Sequence, residues 1–158
     1  MLSAEAAGSR SENVLSPGLK ASLIAAADRF GTPVYVIDIA TVTAAAEMIE
    51  TAFPRPWLWQ YSLKANDLPA IPALLAHRGW GANVVSLGEW RHARAARVTD
   101  ATLTFEGIGK TDAELEYAVR QTAAGAPPRW LAIESPDEAR RLQELSDKHG
   151  LGSSGRPS

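Results

Sequence analysis

At 158 residues and 46% apolar content, the chain is long enough for one ordinary domain with its own core. Its net charge of −2 and scattered basic residues leave no electrostatic footprint for nucleic acid, and the absence of cysteine excludes disulfides and thiolate metal sites, in keeping with a reducing compartment. His77, His92 and His149 have no metal-ligand spacing and no apolar stretch is long enough to span a bilayer, so the expectation is a soluble cytoplasmic protein without metal, nucleic-acid or membrane partners.

Residues 1–17 are acidic, rich in small residues and lack an apolar signal core, so they read as a flexible leader. Leu19, Leu23, Ala26 and Ala27 then recur at helical spacing, predicting a helix over 18–30 that ends at Gly31. Thr32-Pro33 opens a β-rich run over 34–37. Val42, Ala45, Ala46, Ile49 and Phe53 share one face of a predicted helix over 39–53, which Pro54 stops. Strands are predicted over 57–64, 83–85, 102–105 and 130–133, with helices over 69–78, 87–96, 113–122 and 136–148 between and after them. Residues 150–158, rich in glycine and serine, read as a flexible tail. This strict alternation argues for parallel βαβ units and an α/β fold.

Three of the strands are followed by Ser/Thr-x-x-Glu, at Ser86–Glu89, Thr111–Glu114 and Ser135–Glu138, spaced about 25 residues apart. In such a box the hydroxyl and the carboxylate satisfy amide groups at a helix start, and Pro136 at the first helical position strengthens the third. Capping therefore explains Glu89, Glu114 and Glu138 better than catalysis does. The regular spacing suits a (β/α) barrel or an open doubly wound sheet.

Three stretches bear chemistry. In the strand over 57–64, alternation places Trp57, Trp59, Tyr61 and Leu63 on an apolar face, and Leu58, Gln60, Ser62 and Lys64 on one that turns polar toward its carboxyl end. Sites of parallel α/β sheets lie at that end, where a partly buried lysine is able to attack a carbonyl. On position alone, a solvated lysine at the strand's end is the better explanation of Lys64. Gly109-Lys110-Thr111 suggests a phosphate loop, but the Walker spacing needs glycine at 104, where Thr104 stands. A glycine-containing turn into a capped helix accounts for it. Residues 81–89, a short strand running into a capped helix, offer Asn83 or Ser86 to a ligand, a signal that is unspecific alone.

Taken together and in order, these stretches resemble the fold-type III pyridoxal phosphate decarboxylases of diaminopimelate, ornithine and arginine, most nearly the diaminopimelate branch. FGTPVYVID at residues 30–38 is similar to that family's FGTPLYVYD, YSLKAN at 61–66 to YAxKAN, and GANVVSLGE at 81–89 to GADVVSxGE. Residues 107–115 are similar to its GxxKxxxEL segment, and Ile133-Glu134-Ser135 stands where the family has a strand ending in DS or ES. The resemblance covers about residues 28–148. It implies a partial (β/α) barrel of the alanine-racemase-like type with roughly four βα units over 38–149, after a helix and strand over 18–37.

It also implies that Lys64 holds pyridoxal 5'-phosphate as a Schiff base, with Ser62 leaving room for the ring and Asn83 beside it. The reaction implied is decarboxylation of an amino acid, meso-diaminopimelate to lysine and carbon dioxide. Ornithine, arginine or another amino acid remains open as the substrate, as does a non-catalytic module pairing with a full-length subunit of a homodimeric family. Three departures stand out: Ser62 for alanine, Asn83 for aspartate, and Glu106 where histidine or asparagine is more common. The family's C-terminal barrel half, β-domain, phosphate loop and ring-pairing acid have no counterpart in the chain, which therefore reads as an N-terminal fragment without activity of its own.

Overall fold

In the computed structural model, residues 15–151 are described. The leader expected over 1–17 and the tail expected over 150–158 lie largely outside them, although Pro17 already belongs to a helix. The chain divides into two compact units, Met1–Asp38 and Ile39–Ser158.

The described part of the first unit is helix α1, Pro17–Phe30, followed by a segment without regular secondary structure. Ser16 caps the helix by accepting from the Leu19 amide at 3.2 Å, and Pro17 supplies a pre-set first residue that needs no donor. Gly31, at φ 79°, closes the other end by donating to the Ala27 carbonyl at 2.8 Å. The strand expected over 34–37 does not form. Those residues take no regular secondary structure, and Tyr35 is 99% exposed. β-branched composition favours a strand only where a neighbour takes up its amide and carbonyl groups.

The second unit begins with α2, Ile39–Ala52, and continues as β1 (Gln60–Ser62), α3 (Ala70–His77), β2 (Gly81–Val84), α4 (Leu87–Ala95), β3 (Leu103–Phe105), α5 (Asp112–Ala123), β4 (Trp130–Leu131) and α6 (Pro136–Lys148). Short 3₁₀ turns occupy Leu63–Ala65 and Asp100–Thr102. The four strands form one parallel sheet in the order β1-β2-β3-β4. This is the α/β architecture expected, with strands shorter than the sequence suggested. Trp57 and Leu58 were placed in the first strand, but they lie exposed before the ladder begins and extend no pairing. β4 keeps only two residues and lies at an edge of the sheet.

Helices of the second unit cover one face of the sheet. Ala82, Val84, Leu103 and Phe105 point into a core completed by Leu63, Trp90, Ala93, Val98 and Ala118. Trp90 is fully buried and meets the rings of Phe105 and Tyr117 edge-on, at centroid distances of 5.4 and 5.2 Å. Register alternation puts Gln60, Ser62, Asn83 and Thr104 together on the opposite, polar face.

The three predicted caps form, with a difference. Ser86, Thr111 and Ser135 each accept from the amide three residues on, at 3.2, 3.3 and 3.1 Å. Only Glu114 closes a reciprocal box, accepting from the Thr111 amide at 2.9 Å. Glu89 and Glu138 reach one residue further, to the amides of Val85 (2.9 Å) and Glu134 (3.0 Å), which the ending strands have left without ladder partners. Glu114 also accepts from the Leu87 amide at 3.1 Å, tying the start of α5 to the start of α4. No helix among the described residues is long and apolar enough to cross a membrane.

Behind α4, Asp100 accepts from Trp90 Nε1 and Arg94 Nε, both at 2.9 Å, and Arg94 also donates to the Tyr117 hydroxyl at 2.7 Å. Burial would raise the Asp100 carboxyl, but the Arg94 and Trp90 donors hold it below its ordinary 3.8. Burial opposes ionisation of Glu114 and Glu138 as well, and their amide and Lys110 partners hold both below the ordinary 4.5. For groups whose folded value is depressed, the stabilisation is complete above the ordinary value and is lost as pH falls through the folded one. The urea unfolding midpoint is therefore expected to stay level from pH 7 to about 5 and to fall below about 4.5. Asp100→Asn is expected to lower the midpoint at pH 7 and flatten that acid limb. An unchanged limb would assign the acid sensitivity elsewhere.

Candidate active site

The carboxyl end of β1 does not carry Lys64 as a strand residue, as the sequence suggested. The ladder ends at Ser62, and Lys64 sits in the 3₁₀ turn Leu63–Ala65. Leu63, 1% exposed, pulls one side of the turn into the core. On the other side Tyr61 Oη donates to the Asn66 carbonyl at 2.9 Å, and Asn66 Oδ1 accepts from the Leu68 amide at 3.0 Å. Burial, and then the nearby Asp67 charge, push the Tyr61 phenol up, which keeps this donor protonated. Held between these anchors, Lys64 is exposed and has no hydrogen bond or ion pair among the described residues. The pattern Tyr-Ser-Leu-Lys-Ala-Asn thus fixes a backbone turn while leaving an amine free.

Beside it, Ser62 on β1 and Asn83 on β2 are register neighbours. Ser62 Oγ and Asn83 Oδ1 are both buried and have no hydrogen-bond partner. Buried polar atoms without partners are uncommon and costly, and their concentration at one spot points to a group that completes them. Below them Gln60 reaches across β2, donating to Thr104 Oγ1 at 2.6 Å and to the Thr102 carbonyl at 3.3 Å. Its path crosses Gly81, where a Cβ would stand 1.9 Å from the Thr102 oxygen. The structure sets Ser62 and Asn83 side by side at the carboxyl end of the polar face, and Lys64 in the turn that directly follows β1.

The other candidate stretch has a structural role. Lys110 is 3% exposed and donates to the carbonyls of Gly107 (2.9 Å) and Ala132 (2.8 Å) and to Glu138 Oε1 (2.8 Å). All three ammonium hydrogens are used, so none is left for a phosphate. Gly107, at φ 106°, lets this loop pass over Val85. Sequence reasoning missed the Lys110–Glu138 pair and the Gln60–Thr104 bridge. Both join residues far apart in the chain, and no local pattern marks either pairing.

A parallel sheet with helices along one face, a polar opposite face and a free lysine at its carboxyl end is the arrangement of a partial (β/α) barrel. The family model described as pyridoxal-dependent decarboxylase, pyridoxal binding domain, matches residues 39–152, and the chain belongs to that family. A diaminopimelate decarboxylase of Neisseria meningitidis serogroup A is 35% identical over 125 residues, covering 78% of this chain and 30% of that protein. That of Aquifex aeolicus is 34% identical over 129 residues, covering 82% and 29%. The crystal structure of diaminopimelate decarboxylase from M. jannaschii in co-complex with L-lysine superposes with a TM-score of 0.74 at 30% identity, over 81% of this chain and 30% of that one. The chain thus spans about 30% of the length of the relatives it matches.

Proposed function

We propose that this chain is the pyridoxal phosphate-holding part of an amino-acid decarboxylase, with Lys64 the residue joined to the cofactor and Ser62 and Asn83 lining its site. The observation that carries this reading is the conjunction of a free amine on Lys64 with two orphaned buried atoms, Ser62 Oγ and Asn83 Oδ1. A polar aromatic cofactor fits these residues. The serine is small enough to leave room for a ring, its hydroxyl both donates and accepts, and Asn83 Oδ1 accepts an N–H or O–H. When bound, pyridoxal phosphate withdraws electrons from the α-carbon of an amino acid so that carbon dioxide leaves. The protein's own part is to present the Lys64 amine on a rigid turn and to hold the polar face open toward it.

As substrate of the whole protein we propose meso-diaminopimelate, yielding lysine. Its support is that the relatives at 34–35% identity are diaminopimelate decarboxylases and that the M. jannaschii enzyme was crystallised with L-lysine. A cytoplasmic setting is consistent with the absence of cysteine.

The test is to incubate the full 158-residue chain with pyridoxal phosphate, reduce with borohydride and map the modified peptide. The Lys64 amine displaces the aldehyde oxygen as water, and hydride fixes the resulting C=N bond. Modification concentrated at Lys64, and lost in Lys64→Ala, is expected. Labelling spread evenly over Lys20, Lys64 and Lys148, or no labelling, would overturn the assignment.

A further inference from the structure

Joined to the cofactor, the Lys64 nitrogen would carry a positive charge, and Ser62 and Asn83 on the adjoining strands are neutral. Which side chain balances that charge is answered by following each carboxylate at the carboxyl end of the sheet. Glu89 is committed to the Val85 amide, Glu114 to Thr111 and Leu87, and Glu138 to Lys110 and the Glu134 amide. Asp67 lies 3.5 Å from His92 Nδ1. Asp112 and Asp137 pair with Arg141 and Arg140. Glu134 is exposed and follows β4, the strand furthest from β1 in the sheet.

One carboxylate remains. Glu106 is half-buried and has no hydrogen bond or ion pair among the described residues. Its amide donates to the Val84 carbonyl at 2.9 Å, which continues the β2–β3 ladder one residue past Phe105. That continuation keeps Glu106 in alternation with Thr104, on the polar face with Asn83 and Ser62. Thr104 is the register partner of Asn83, so Glu106 stands two residues beyond it toward the carboxyl end, the end at which Lys64 lies.

We infer that Glu106 is the counter-charge to the cofactor-joined Lys64 nitrogen, working with Asn83 Oδ1 as a neutral acceptor on the adjacent strand. This rests on the cofactor reading given above. A half-buried carboxylate without a partner is a poor choice for stability, because it bears part of a desolvation cost with nothing to offset it. A cation delivered to that face supplies the offset, and the carboxylate in turn favours the protonated form of the nitrogen.

The experiment is a pH titration of the visible absorbance of the unreduced chain–pyridoxal phosphate adduct, in the natural chain, Glu106→Gln and Glu106→Asp. Glu106→Gln is expected to lower the midpoint of the titration by roughly one pH unit, and Glu106→Asp by much less. The difference between the natural chain and Glu106→Gln is expected to shrink at high salt. Asp67→Asn and His92→Gln, which alter the other charges nearest the turn in sequence and contact, are expected to leave the midpoint within a few tenths of a unit. Equal midpoints in the natural chain and Glu106→Gln, with the adduct still mapped to Lys64, would overturn the role of Glu106 alone. Absence of any adduct at Lys64 would overturn the cofactor reading, and this inference with it.

Discussion

Lys110→Met is expected to destabilise the chain by about 3–5 kcal/mol, the cost of leaving one member of a buried ion pair without its partner. The side chains of Lys110 and Glu138 are 1% and 2% exposed. Taking away the ammonium leaves Glu138 Oε1 and the carbonyls of Gly107 and Ala132 without that donor. A loss of that size is a large fraction of the 5–15 kcal/mol typical of a small domain. The pair is also a tether, because Lys110 follows β3 while Glu138 lies in the first turn of α6, three elements later. Urea unfolding monitored by circular dichroism supplies the measurement. The double variant Lys110→Met/Glu138→Gln removes both charges and is expected to recover part of the loss, giving a coupling between the sites well above the 0.3–0.5 kcal/mol seen for independent positions. A Lys110→Met loss under 1 kcal/mol would show that the pair contributes little. Because Lys110 lies away from Lys64 in this scheme, labelling of Lys64 in whatever fraction remains folded is expected to persist.

How much of this was readable in the sequence follows from the range of each signal. Ser86, Thr111 and Ser135 announced three helix starts because capping is decided within four residues, and all three hydroxyls cap as expected. The alternation of strand and helix likewise placed every strand and α-helix of the second unit to within a few residues. Signals that need a partner failed. The run over 34–37 has strand composition but no neighbouring ladder, and Trp57-Leu58 has it too but lies before the pairing begins. For the site, alternation correctly put Gln60 and Ser62 on one face, and the motif context singled out Lys64. The 3₁₀ turn that carries Lys64 was not legible, because it depends on Leu63 reaching a core built by α4 and on Tyr61 folding back to Asn66. Nor was Lys110: its neighbours in sequence suggested a phosphate, and only the folded chain brings Glu138 to it.

Gly81→Ala is expected to cost about 3 kcal/mol, at the upper end for inserting one methyl group, because what it strikes is backbone. The new Cβ would lie 1.9 Å from the Thr102 carbonyl oxygen and 2.9 Å from its carbon. A flexible side chain is able to swing away from such a contact, but Thr102 closes the 3₁₀ turn that feeds directly into β3. Relief requires β2 and β3 to part or to slide, and the register that sets Asn83 beside Thr104 goes with them. Gln60 would lose its route across β2 to Thr104 at the same time, opening the floor beneath Ser62 and Asn83. The expected result is a lower urea midpoint together with weaker pyridoxal phosphate labelling of Lys64. Gly88→Ala is the matched control. Gly88 lies in the first turn of α4, where a Cβ would meet nothing nearer than Ser86 Oγ at 3.6 Å, an ordinary contact. Alanine there is expected to be neutral or stabilising by up to about 1 kcal/mol, through helix propensity alone. Equal midpoints for the two variants would mean that the β2–β3 contact yields easily, and that glycine at 81 is not what holds the polar face in shape.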